Sequence, residues 1–109
     1  MREMLEEVIR KFNAKVASDP TLQADLGDVP KTILIELKDG AKYHFTVKDQ
    51  KIADLIDGGV DHADITLTTD AETLRGLIRR EIGPFKAYAT GKVKLKGSFE
   101  DISRIRKFF

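Results

Sequence analysis

The sequence predicts an α+β domain, a five-stranded and mostly antiparallel sheet with helices covering one face, in the order α-β-β-β-β-α-α-β-α. Three observations predict it. Segments that alternate apolar and polar residues come in a run, and segments with apolar residues every three or four positions mostly follow them, which is the pattern of segregated sheet and helices. Each strand candidate has one polar side, so only one face of the sheet needs a helical cover. The length, 109 residues, suits one domain spanning 1–109 with an ordinary core.

Met4, Leu5, Val8, Ile9, Phe12 and Val16 recur at helical spacing and give an amphipathic helix with one buried stripe. The helix ends near Ser18-Asp19-Pro20, because proline disfavours helix in the residue before it. Residues 20–30 read as a loop with a short turn at Leu22 to Leu26. In the first strand Ile33, Ile35 and Leu37 alternate with Thr32, Leu34, Glu36 and Lys38. Asp39-Gly40 is a two-residue hairpin turn that needs positive φ at both positions. Tyr43, Phe45 and Val47 form the apolar side of the second strand, and Asp49-Gln50 turns into a shorter third strand, Lys51 to Ile56. Gly58-Gly59 breaks the pattern before a fourth strand, Ala63 to Thr69, with Ile65 and Leu67 inward.

Thr69-Asp70-Ala71-Glu72 fits a capping box with Thr69 as the N-cap. Leu74, Leu77 and Ile78 form the buried stripe of the helix it opens. Gly83 ends that helix, and Pro84 starts a short one that carries Phe85, Tyr88 and Ala89 on one side. Lys92 to Lys96 alternates as the fifth strand. Ser98 caps a last helix with Ile102, Ile105 and the terminal Phe108-Phe109.

Composition removes several function classes. Apolar residues are 41% and charged residues 34% of the chain, a globular balance. There is no cysteine, which excludes disulfides, thiolate zinc sites and cysteine nucleophiles. The longest aliphatic run, Ile33 to Ile35, cannot span a membrane. The start, Met1-Arg2-Glu3-Met4-Leu5-Glu6-Glu7, has no apolar region of a signal peptide, so the expectation is a cytoplasmic protein. His44 falls on the polar side of a strand and reads as solvated. Asp61-His62-Ala63-Asp64 reads as a solvated turn rather than a metal or acid-base cluster. None of Ser18, Ser98 and Ser103 sits in a nucleophile elbow, and Gly91 and Gly97 bracket a strand without opening a phosphate loop. No catalytic residue, metal ligand set or cofactor motif is found, so the expectation is a protein that is not an enzyme.

Net charge is +1, but residues 91–109 hold six basic and two acidic groups. That stretch reads either as a solvated strand and helix face or as a surface for anionic lipid or phosphate. Nucleic acid is not expected: Tyr43 and Phe45 alternate into the apolar set and would stack on the core, not on bases.

Three blocks carry a resemblance. Ala63-Asp64-Ile65-Thr66-Leu67-Thr68-Thr69 is similar to an Ala-Asp-Val-Thr-Leu-Thr strand followed by an acidic helix start. Gly83-Pro84-Phe85-Lys86-Ala87-Tyr88 is similar to Asn-Pro-x-x-Ala-Phe, with Gly83 in place of the asparagine. Thr90-Gly91-Lys92-Val93-Lys94-Leu95-Lys96-Gly97 is similar to Gly-Lys-(Leu/Ile)-Lys-Ile-Lys-Gly. In this order and with short spacers, from about residue 25 onward, the chain resembles a sterol carrier protein 2 domain. Its final helix is short, so the resemblance does not carry over the closing wall of the family's tunnel, and Lys107-Phe108-Phe109 is not a peroxisomal tripeptide.

The resemblance implies an apolar, lipid-sized tunnel between the sheet and the helices, used for non-catalytic lipid binding and transfer without a cofactor. The ligand it implies is a fatty acyl chain, an acyl-CoA or an isoprenoid lipid, with sterol as a further candidate. The wall candidates are Leu67, Val93, Leu74, Leu77 and Ile78, together with Phe85, Tyr88, Phe99, Ile102 and Ile105; each also fits simple core packing. The short helix at Pro84 and the last helix are the candidate gates. Lys92, Lys94, Lys96, Arg104, Arg106 and Lys107 would dock transiently on a membrane surface. Phe108 and Phe109 either pack on the domain, cover the tunnel mouth or join a partner. The rival reading is an accessory module that presents a hydrophobic substrate to another enzyme or mediates homodimerisation.

Overall fold

The computed structural model describes residues 1–27 and 29–106, with the backbone alone for Ile105 and Arg106. Helix α1 (Arg2–Ala17) buries the expected stripe, with Leu5, Ile9 and Val16 inside. It is followed directly by α2 (Pro20–Leu26), where only a loop with a short turn is expected from sequence. Asp19-Pro20 both ends one helix and starts the next. The Asp19 carboxylate accepts from the backbone N–H of Thr21 at 2.9 Å and of Leu22 at 3.3 Å, and Pro20 takes the first turn, where no donor is missed.

Strands β1 (Lys31–Leu37) and β2 (Lys42–Lys48) pair antiparallel, with Ile33 opposite Phe45 and Ile35 opposite Tyr43. Of the two turn residues at Asp39-Gly40 only Gly40 has positive φ, at 98°. The Asp39 carboxylate instead accepts from Ala41 N–H at 2.9 Å, an Asx turn. The doubly left-handed turn is the next one, Asp49 (φ 53°) and Gln50 (φ 64°). The expected third strand is two short pieces, β3 (Lys51–Ile52) and β4 (Ile56–Asp57), both paired with β2. Between them Leu55 drops into the core.

Strand β5 (Ile65–Thr69) lies parallel to β1, with Ile33 opposite Ile65 and Ile35 opposite Leu67. The sheet is therefore mixed and has six strands, not five, in the order β3-β2-β1-β5-β6 with β4 also on β2. Helix α3 (Ala71–Ile78) is capped by Asp70, not Thr69. Asp70 accepts from the Thr73 backbone N–H at 2.6 Å and from its hydroxyl at 2.9 Å. Thr69 is fully buried, and its hydroxyl donates to the Lys92 carbonyl at 2.8 Å. The helix stops at Ile78, before Gly83, because Arg80 turns left-handed (φ 61°). The chain then folds back, with Glu81 N–H and Ile82 N–H both donating to the Gly76 carbonyl. After α4 (Pro84–Ala89) and the edge strand β6 (Lys94–Gly97), α5 (Phe99–Arg106) starts as expected, with the Ser98 hydroxyl accepting from Asp101 N–H at 3.1 Å.

The core sits between α1, α3 and the β1–β2 half of the sheet. Leu5, Ile9, Ile35, Leu37, Ile52, Leu55 and Leu74 form it. The amide of Asn13 clasps the edge of β3: it donates to the Ile52 carbonyl at 2.7 Å and accepts from Ile52 N–H at 2.8 Å.

Candidate functional site

Strand alternation assigns the two faces. Ile33, Ile35, Tyr43, Phe45, Ile65, Leu67 and Leu95 share the inner, helix-covered face, and register pairs Leu67 with Leu95. Under the β1–β2 half this face is covered by α1, with Ile33 and Ile35 buried and Tyr43 and Phe45 half-buried. Toward β5 and β6, Ile65 is buried, while Leu67 and Leu95, and Leu77, Ile78 and Ile82 on the helical side, are half-buried. Helix α5 lies on the same side. Its Asp101, almost wholly buried, meets the Lys31 ammonium at 3.1 Å, and Lys31 shares the parity of Ile33 and Ile35.

The sequence-derived wall residues divide into three groups. Leu74 and Val93 are buried in the core. Leu67, Leu77, Ile78 and Ile102 are half-buried. Phe85, Tyr88 and Phe99 stand 76%, 57% and 87% exposed. Ile105 is placed in α5 by its backbone. Of the docking residues, Lys92, Lys94 and Lys96 are exposed, and Lys94 and Lys96 pair with Thr68 and Thr66 on the outer face. Arg104 is half-buried and bonded to Glu100 at 3.0 Å. Arg106 is placed by its backbone, and Lys107, Phe108 and Phe109 lie outside the described residues.

On the outer face the segment 58–63 crosses the strands. It leaves a hollow of about 630 Å³ whose lining includes Leu34, Glu36, Lys42, His62, Thr66 and Lys96. His44 is not simply solvated: its Nδ1 lies 2.9 Å from the Gly58 carbonyl and anchors the crossing. The lining is polar and mixed in charge, and Lys42 lies 3.7 Å from Glu36. Among the described residues no group of three His, Asp or Glu side chains could hold a metal ion. Asp70 is held below the ordinary carboxylate range, chiefly by the Thr73 backbone N–H and then by its hydroxyl, with a smaller pull from Lys38. That shift belongs to a helix cap and not to a reaction centre. No described helix is long and apolar enough to cross a membrane.

Two contacts have no local sequence signal. Lys31 and Asp101 are 70 positions apart, and Asn13 and Ile52 are 39 apart. Nothing near either residue marks its partner.

The sequence model of the SCP-2 sterol transfer family matches residues 9–109. The chain belongs to this family. An SCP2 domain is generally a non-catalytic, lipid-binding fold that occurs in some enzymes as a separate domain. No curated protein matches the chain in sequence. Among solved structures it resembles palmitated SCP2L2 from Aedes aegypti, with 21% identity, a TM-score of 0.61, and coverage of 94% of this chain and 91% of that one. It also resembles the UbiJ-SCP2 ubiquinone synthesis protein, with 16% identity, a TM-score of 0.62, and coverage of 92% and 83%. A third likeness is to the stereoselective inverting sec-alkylsulfatase Pisa1 from Pseudomonas sp., with 21% identity and a TM-score of 0.60, over 72% of this chain. The chain spans 12% of the length of that sulfatase. At these identities the likeness is one of fold.

Proposed function

We propose that this SCP2 domain binds a single lipid tail on the inner face of the sheet, where β5 and β6 meet α3 and α5, and carries it between membranes without catalysing a reaction. One observation supports this most: Leu67 and Leu95, paired across β5 and β6 on the covered face, are both half-buried, as are Leu77 and Ile78 of α3 and Ile102 of α5. An ordinary core closes over such residues, because each buried methylene gains about 0.8 kcal/mol. Leaving several half in water is tolerable where a guest chain completes the burial.

The energetics suit a carrier. A tail of about 16 carbons gains roughly 13 kcal/mol at most on leaving water, and nearly the same in a bilayer. Exchange between protein and membrane is then close to balanced, and the protein removes only the cost of crossing water. The ligand class we favour is a fatty acyl chain, free or as acyl-CoA, with isoprenoid lipids and sterol as further candidates. The palmitated Aedes aegypti relative, similar in fold, supports the first.

A second reading has its own support. The sulfatase and UbiJ-SCP2 neighbours make it reasonable that this domain presents a hydrophobic substrate to a partner or joins a second copy. Native mass spectrometry separates the two readings: co-purified lipid on a monomer supports carriage, and a lipid-free dimer supports the accessory module. Leu77→Trp tests the wall directly. It should abolish uptake of a fluorescent fatty acid while lowering stability by no more than about 1–3 kcal/mol, the usual cost of overpacking. Unchanged uptake overturns the wall assignment.

A further inference from the structure

Between Arg75 and Phe99 the chain holds seven basic residues and one acidic residue, Glu81, and all eight are exposed. None of the seven cations forms an ion pair with a described residue. In the middle of this stretch lies α4, where Ala87 is the one buried side chain. Phe85 and Tyr88 are three positions apart, so they share one side of the helix, and both are more than half exposed. The corner is firmly attached. Ala87's carbonyl accepts from Lys92 N–H at 2.9 Å and Val93 N–H at 3.3 Å, and the Gly76 carbonyl ties Glu81 and Ile82 to α3.

We propose that this corner docks on an anionic lipid bilayer, with Phe85 and Tyr88 sinking into the headgroup layer and Arg79, Lys86 and Lys92 over the lipid phosphates. Unpaired cations alone would suit any polyanion. Two adjacent exposed rings among them favour a surface that offers hydrocarbon beneath its charge, because aromatic side chains settle at that boundary. This differs from a docking face on β6 and α5. Arg104 of α5 already bonds Glu100, whereas Lys86 lies between the two rings in α4 and Arg79, also exposed, ends α3 just before the fold-back that leads into α4. The inference rests on lipid carriage for its purpose, but its test does not use lipid uptake as its readout.

The test is co-sedimentation with vesicles of roughly three parts phosphatidylcholine to one part phosphatidylserine, against vesicles of phosphatidylcholine alone. The wild type should partition to the anionic vesicles and lose that preference in high salt. Phe85→Ser with Tyr88→Ser should weaken partition about tenfold at every salt concentration. Arg79→Glu with Lys86→Glu should weaken it about tenfold or more at low salt, with little change at high salt. Thermal melts confirm that both variants fold. Partition unchanged in both variants, no partition by the wild type, or equal retention of the wild type on a soluble polyanion such as heparin would overturn the proposal. Fatty-acid uptake in vesicle-free solution is measured alongside. If the serine variant loses uptake and keeps partition, the rings belong to the tunnel and the docking idea falls. Failure of uptake in the wild type defeats carriage and leaves the docking result standing by itself.

Discussion

Gly97 closes β6 against β5, directly opposite Ile65. A Cβ placed on Gly97 would sit 2.6 Å from the Asp64 carbonyl oxygen and 3.3 Å from Ile65 Cγ1, where real Cβ atoms essentially never come under 3.0 Å. The obstructing atom is backbone, so it cannot rotate aside. Gly97→Ala must therefore part the two strands at this end. Weakening one or two ladder hydrogen bonds costs about 0.5–1.5 kcal/mol each, and overpacking adds about 1–3 kcal/mol. The lower unfolded-state entropy of alanine returns about 0.5–1 kcal/mol. The net is a loss of about 2 kcal/mol, or a Tm lower by roughly 10 °C for a domain of this size. Urea unfolding should show a lower midpoint with an unchanged slope, and amide exchange should rise in β6 and α5 before it rises in α1. Gly83→Ala is the control, since Gly83 has φ −72° and no heavy atom within 4 Å of an added Cβ; it should leave stability within about 0.5 kcal/mol of wild type. If Gly97→Ala is equally harmless, the close β5–β6 approach is not a feature of the protein in solution.

Two further predictions concern charge. Asp70 has a folded-state pKa below its unfolded one, so the unfolded chain binds more protons as pH falls. Its stabilisation is complete above the ordinary aspartate range and is lost as pH drops through that range toward the folded pKa. Asp70→Asn keeps an acceptor for Thr73 and should flatten this part of the pH–Tm profile, while Asp70→Ala should also cost about 1 kcal/mol at neutral pH; an unaltered profile in Asp70→Asn would assign the acid dependence elsewhere. Lys31→Met leaves the Asp101 carboxylate almost wholly buried beside an apolar group. Lys31 itself is partly exposed, with 30% of its side chain open, so solvent screening trims the loss to about 1–2 kcal/mol. That loss should appear as faster amide exchange confined to α5, and unchanged protection there would mean that the ion pair does not hold the helix.

Much of the fold was legible because its signals are local. The β1–β2 register follows from alternation in Ile33 to Leu37 and Tyr43 to Val47, and the Ser98 cap from one residue's chemistry. Thr69 and Asp70 were harder to separate, since both side chains can cap a helix. Burial decided the matter, because Thr69 is needed by the Lys92 carbonyl and Asp70 is free to turn inward onto Thr73. The parallel β1–β5 pairing left no trace in sequence, as alternation reports a strand's faces but not its neighbours. The site was legible as a set of apolar residues and not as a surface. Phe85 and Leu77 both look like wall residues in sequence, yet one stands in water and the other is half-covered, and only the fold-back of residues 79–83 onto Gly76 separates them.

The two helices at the ends of the described chain are held very differently, and this bears on where a lipid would enter. Helix α1 buries Leu5, Ile9 and Val16, clasps β3 through both ends of the Asn13 amide, and reaches the Leu55 carbonyl and Asp57 through Arg2. Helix α5 has Asp101 as its buried residue among those with described side chains, Ile102 half-covered and Phe99 in water. Opening α1 would expose several core leucines and isoleucines at about 1.5–3 kcal/mol each. Among the described side chains of α5, opening the helix uncovers apolar surface at the half-buried Ile102 and breaks the Lys31–Asp101 ion pair. Local opening follows the smaller cost, so on the proposed reading a guest chain would reach the half-covered Leu67–Leu95 pair from the α5 side, where an acyl tail would replace in contacts what the helix gives up in moving.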